Sequence, residues 1–182
     1  IVYYNSLFPT FSAFKPQSEQ ELQDAVNECM KWSSFGDCSK GTHGSIGEWD
    51  VSGVSKMSRI FAHASAFNQD LSKWDVSAVT EMVSMFSGVS DFNGDLSKWD
   101  VSAVTNMFGM FPYVPAFNQD LSEWDVSAVT SMGSMFLGAS AFAYELCGDA
   151  WMHSKADKTD MFKDSPGWIQ GMVRPGASYG EG

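Results

Sequence analysis

Phe67-Asn68-Gln69-Asp70-Leu71-Ser72-Lys73-Trp74-Asp75-Val76-Ser77-Ala78-Val79-Thr80-Glu81-Met82-Val83-Ser84-Met85-Phe86 returns almost letter for letter at Phe92–Phe111 and again at Phe117–Phe136. Tryptophans stand at 49, 74, 99 and 124, a constant step of 25 residues. Met57, Met82, Met107 and Met132 keep that step, as do Phe61, Phe86, Phe111 and Phe136. A fixed period in this range marks stacked supersecondary units, none of which can bury its apolar face alone. Trp49, Trp74, Trp99, Trp124, Met82, Met107, Met132, Phe86, Phe111 and Phe136 are therefore the expected core. Their repetition favours packing over a cofactor box, because like side chains of successive units can cover one another.

Two patterns divide each unit. Leu71, Trp74 and Val76 have the Leu-x-x-Leu-x-Leu spacing of a leucine-rich repeat, which predicts a short strand with Trp74 and Val76 inward and Asp75 outward. Val79, Met82, Phe86 and Val89 then recur at steps of three and four, which predicts a short helix opened by Thr80 and Glu81 and closed near Gly88 or Gly138. Phe92-Asn93-Gly94-Asp95 supplies the turn to the next strand. The expected fold class is an α/β repeat solenoid, a leucine-rich-repeat-like right-handed stack of about five coils.

The flanks read as caps. Residues 1–17, aromatic and without period, predict an extended arm. Residues 18–47 predict a capping helix and loop: Ser18 is placed as an N-cap, Glu21 stands three residues on, and Leu22, Ala25, Val26, Cys29 and Met30 make one apolar stripe. Residues 48–145 are the repeat region and 146–168 a diverged C-terminal cap, where Asp149 replaces the expected tryptophan and Trp151 follows two positions late. Residues 169–182 read as a tail.

The charge of −11 and pI near 4.5 argue against nucleic-acid or anionic-membrane partners. No apolar run is long enough to insert in a membrane. The chain begins at Ile1 without a basic-then-apolar leader, so a removed targeting segment or a fragment is expected. Three cysteines cannot build a disulfide framework, but Cys29 and Cys38 are spaced for one bridge, which would place the protein in an oxidising compartment such as the cell surface or an organelle lumen.

Asp50, Asp75, Asp100 and Asp125 form a ladder beside Ser52, Ser77, Ser102 and Ser127. Stacked carboxylates repel, so each is expected to accept hydrogen bonds from the serine two residues on. A calcium ion between neighbouring carboxylates is the alternative, and the only cofactor the pattern suggests. Asp70, Asp95 and Asp120, beside Asn68, Asn93 and Asn118, pose the same choice. His43, His63 and His153 lack metal-ligand spacing, and no nucleophile or phosphate-loop motif occurs, so catalysis is not expected.

The unit Phe-Asn-Gln-Asp-Leu-Ser-x-Trp-Asp-Val-Ser-x-Val-Thr-x-Met-x-x-Met-Phe resembles the BspA-like bacterial surface protein repeat, also abundant in proteins of unicellular algae and other protists. The similarity covers roughly residues 18 to 168, and Phe14-Lys15-Pro16 through Met30 with Ile46-Gly47-Glu48-Trp49 looks like that family's lead-in. Cys147 matches the first of two late cysteines found in many members, but Lys163-Asp164-Ser165 offers no second. The resemblance implies a leucine-rich-repeat-like solenoid used in surface display, adhesion or assembly. The leading expectation is a noncatalytic protein-interaction or scaffold module whose contact face is Lys73, Asp75, Ser77, Lys98, Asp100, Ser102, Glu123, Asp125 and Ser127. The alternatives are an accessory subunit docked peripherally on a larger assembly, such as a membrane or photosynthetic complex, and a calcium- or glycan-binding adhesin.

Overall fold

The computed structural model describes residues 13–172. Residues 1–12 of the expected arm (1–17) and 173–182 of the expected tail (169–182) lie outside the described residues.

Helix α1 (Glu19–Trp32) starts where the sequence places it. The Ser18 hydroxyl accepts from the Glu21 N–H at 3.1 Å, and Glu21 reaches back to the N–H of Gln17 at 2.9 Å, one residue earlier than in a regular capping box. Of its apolar stripe, Leu22, Ala25, Val26 and Cys29 are buried and Met30 is half-buried against the core. Two polar bonds fix the helix on the first repeat: Glu19 accepts from the Ser58 N–H, and the Gln23 carboxamide donates to the Ile60 carbonyl. Phe14 and Lys15, assigned to the arm, pack on that repeat as well. The Phe14 carbonyl accepts from the Asp50 N–H at 2.9 Å, and its ring lies edge-on to Trp49.

Successive repeats are joined in register. Parallel bridges connect Lys56 to Glu81, Glu81 to Asn106, Asn106 to Ser131 and Ser131 to Asp157. Alternate N–H groups of one unit donate to carbonyls of the next: Met82 to Asn106, Ser84 to Phe108, Phe86 to Met110 and Gly88 to Pro112, at 2.9–3.0 Å. This departs from the local expectation twice. The stretch read as a helix carries the inter-repeat bonds, and a backbone that gives its N–H groups to a neighbouring segment cannot also form i→i−4 bonds. The stretch from Leu71 to Val76, read as a strand, forms turns instead. The cause lies in two left-handed positions per unit. Ser84 (φ 55°) and Gly88 (φ 70°) correspond to Arg59 and His63, Gly109 and Tyr113, Ser134 and Gly138, and Asp160 and Asp164, all with positive φ. Each non-glycine residue there costs about 1–2 kcal/mol, offset by the bonds the bend aims at the next unit.

The apolar columns fill the space between. Trp74, Trp99 and Trp124 are 2–4% exposed, and Met82, Met107, Met132, Phe86, Phe111 and Phe136 are fully buried. Phe61, Phe86, Phe111, Phe136 and Phe162 stack with centroids 5.4–5.7 Å apart, and Phe67, Phe92, Phe117 and Phe142 make a second column at 6.0 Å. The tryptophans add a polar tie: the indole N–H of Trp74 donates to the Ile46 carbonyl, that of Trp99 to Leu71 and that of Trp124 to Leu96, at 2.9–3.0 Å.

At the far end, α2 (Asp149–Met152) absorbs the two extra residues ahead of Trp151, which is fully buried and donates to the Leu121 carbonyl at 2.8 Å. Strand β1 (Glu145–Leu146) pairs in parallel with β2 (Trp168–Ile169). Ile169, read as the start of the tail, is thus a buried part of the cap.

Candidate interaction face

The Asp-x-Ser element of each unit builds one local structure. The carboxylate Oδ1 of Asp75 accepts from the Ser77 N–H at 3.1 Å and the Ser77 hydroxyl at 2.6 Å. Asp100 does the same with Ser102, and Asp50 with Ser52. Asp125 accepts from the Ser127 N–H at 3.0 Å. The second ladder behaves alike, Asp70, Asp95 and Asp120 accepting from the N–H groups of Ser72, Ser97 and Ser122 at 2.8–2.9 Å. A short acceptor two residues ahead of an N–H closes an Asx turn, which ends the Trp-Asp-Val stretch and sends the chain back inward at Val79.

These bonds set the electrostatics. Asp100 is held below the usual carboxylate range by the Ser102 hydroxyl and then by its backbone N–H. Asp125 is lowered by Ser127 in the same way while the charge of Asp100, one unit away, pushes against it. Asp95 is lowered chiefly by the Ser97 N–H and opposed by Asp70. Asp100 thus acts on Asp125 and Asp70 on Asp95, and at both the serine donors prevail. Asp50 is lowered to about 2, because Lys15 bonds it at 2.7 Å and Ser52 adds both its donors.

The nine residues of the expected contact face, Lys73 through Ser127, are all exposed, whereas Asp50 is half-buried. Lys73 bonds Glu48 of the preceding unit at 2.5 Å, while Lys98 and Glu123 form no ion pair among the described residues. The Asp125 end of the row opens into a groove of about 820 Å³ shared with Thr130, Asp149 and His153. Among the described residues no group of three or more His, Cys, Asp or Glu side chains gathers in a way that could hold a metal ion. The Asp ladder is thus strung out along the repeats, not drawn together.

A family model described as "Mycoplasma protein of unknown function, DUF285" matches residues 29–151, more than half of the chain. The chain belongs to this family. Its matched span runs from Cys29 to Trp151, and so takes in the whole Asp-x-Ser row and the tryptophan column. No curated protein and no solved structure matches the chain.

Cys29 and Cys38 are joined as a disulfide with their Cα atoms 5.5 Å apart, and Cys147 is free and exposed. Some surface features were not read from the sequence. Trp32 and Phe35, beside the disulfide, are 80% and 63% exposed, and Phe108 and Tyr113 protrude from the third unit. The signal for Phe108 was present: an aromatic breaks a position held by Ser58, Val83 and Gly133 in the other units. Two further columns were missed. Thr80, Thr105 and Thr130 each donate a hydroxyl to the carbonyl one unit back, and Asn68, Asn93 and Asn118 accept from the backbone one unit ahead.

Proposed function

We propose that the chain is a noncatalytic protein-interaction module of the BspA-like kind: a right-handed, leucine-rich-repeat-like solenoid that presents the row Lys73, Asp75, Ser77, Lys98, Asp100, Ser102, Glu123, Asp125 and Ser127 to a protein partner. The observation that carries this reading is the fixing of the aspartates. Each carboxylate is locked by its own serine through one oxygen, and the other oxygens of Asp75, Asp100 and Asp125 accept no hydrogen bond from the described residues. A pre-ordered row of acceptors loses little freedom on binding and suits a partner with evenly spaced basic or N–H donors. The disulfide supports a setting at the cell surface or in an organelle lumen.

The test compares affinity capture by the parent chain and by Asp75→Arg/Asp100→Arg/Asp125→Arg, after matched melting curves show that both are folded. Loss of the captured protein supports the reading, and identical capture overturns it. The accessory-subunit reading draws on Trp32 and Phe35, two large exposed aromatics held beside a disulfide. Under that reading Trp32→Ser/Phe35→Ser abolishes co-purification and the triple arginine variant does not.

A further inference from the structure

We propose that Asn93 is a site of spontaneous covalent modification, in which the chain cyclises at Asn93-Gly94 and opens to aspartate or isoaspartate. The three equivalent asparagines are tied into one column: the Asn93 N–H donates to Asn68 Oδ1 at 3.0 Å, the Asn118 N–H to Asn93 Oδ1 at 2.9 Å and the Ala143 N–H to Asn118 Oδ1 at 3.1 Å. Two differences set Asn93 apart. The residue after it is Gly94, where Asn68 and Asn118 are followed by Gln69 and Gln119, so no Cβ hinders approach of the Gly94 nitrogen to the Asn93 side chain. Asn93 Oδ1 also accepts a second bond, from the Gln119 carboxamide at 2.9 Å, which its two counterparts lack. Asn93 is exposed, and among the described residues the Gly94 N–H donates no hydrogen bond, leaving that nitrogen available.

The chemistry follows from those positions. The Gly94 nitrogen, losing its proton, attacks Asn93 Cγ. Negative charge develops on Oδ1, where the Asn118 N–H and the Gln119 carboxamide already point, as two donors would in an oxyanion hole. The bond from Cγ to Nδ2 breaks and ammonia leaves, closing a five-membered imide. Water then opens the ring, at Cγ to give aspartate or at the main-chain carbonyl to give isoaspartate. Isoaspartate adds a methylene to the main chain within the turn that leads into Asp95, and either product adds a negative charge there.

The experiment incubates the folded chain at mildly alkaline pH and maps the products by peptide mass spectrometry, with isoaspartyl-specific methylation to tell the two apart. Conversion is expected at Asn93 and not at Asn68 or Asn118. Gly94→Gln, which installs the residue of the sister units, should abolish it. Gln119→Met should slow it about tenfold in chains of unchanged melting temperature, the loss of one donor at an exposed site. Equal rates at the three asparagines, or an undiminished rate in Gln119→Met, would overturn the proposal. If Gln119→Met lowers the melting temperature, Gln119→Glu, which also lacks the donor, replaces it under the same criterion.

Discussion

Trp99 offers the sharpest test of how the repeats hold together. It is 4% exposed, its indole N–H donates to the Leu71 carbonyl at 3.0 Å, and its ring lies tilted 6.4 Å from Phe86. Trp99→Ala removes a large buried aromatic from between units that cannot close over the gap, and is expected to cost about 3–5 kcal/mol. Trp99→Phe separates the two contributions. The Leu71 carbonyl keeps the N–H of Trp74 at 3.0 Å, so loss of the indole leaves one lone pair unmet, not an orphaned group. That loss and the smaller ring together should cost about 1–2 kcal/mol. Trp49→Phe makes a useful contrast, because its indole donates to the loop carbonyls of His43 and Gly44 and ties no two repeats together. Urea denaturation followed by circular dichroism reads all three, with the slope of the transition checked for constancy. If Trp99→Ala lost under 1 kcal/mol, the indole column would not be a source of cohesion and the account of the core would fail.

Other expectations follow from single contacts. Cys29→Ser/Cys38→Ser opens a short closed loop and should lower stability by roughly 2–3 kcal/mol, with the parent chain under reductant melting like the variant. Asp50, lowered from 3.8 to about 2 in the folded chain, binds a proton less readily than when unfolded, so its contribution is present above pH 4 and lost as pH falls toward 2. Lys15→Met removes the largest cause of that shift and should flatten the fall in melting temperature across the same window, an effect that added salt should mimic. Calcium is expected to leave the melting temperature where a chelator leaves it, since among the described residues no three or more acidic, histidine or cysteine side chains gather to hold an ion; a rise with calcium would restore the cation reading.

The period was legible because it is written in the largest side chains, and Trp74, Met82 and Phe86 fall in the core where their repetition puts them. The Asp-x-Ser turns were legible for a similar reason, since stacked charges demand nearby donors. The path of the chain between these points was not. Apolar residues at steps of three and four suit a helix, but Val79, Met82, Phe86 and Val89 meet the same core from a bent chain with left-handed residues at Ser84 and Gly88. Ser84, Ser134 and Arg59 give no hint of positive φ; in their column Gly109 is the one glycine, whereas the second column shows its bend in Gly88 and Gly138. The indole and asparagine ties to neighbouring units depend on three-dimensional register, which spacing along the chain does not record.

The caps have a consequence for how the molecule finds itself. Val-Ser-Ala-Val-Thr is identical at 76–80, 101–105 and 126–130, so a chain that docked one unit a rung too far would satisfy nearly the same donors and rings. The internal units differ at single positions such as Gly94 and Phe108, whereas the ends differ in whole elements. Helix α1, clipped by the Cys29–Cys38 bridge and anchored through Glu19 to Ser58, gives the first unit an address that no later one can counterfeit. Assembly that begins there and proceeds towards α2 avoids misthreading, and removing α1 should yield slipped forms before it yields an unfolded chain.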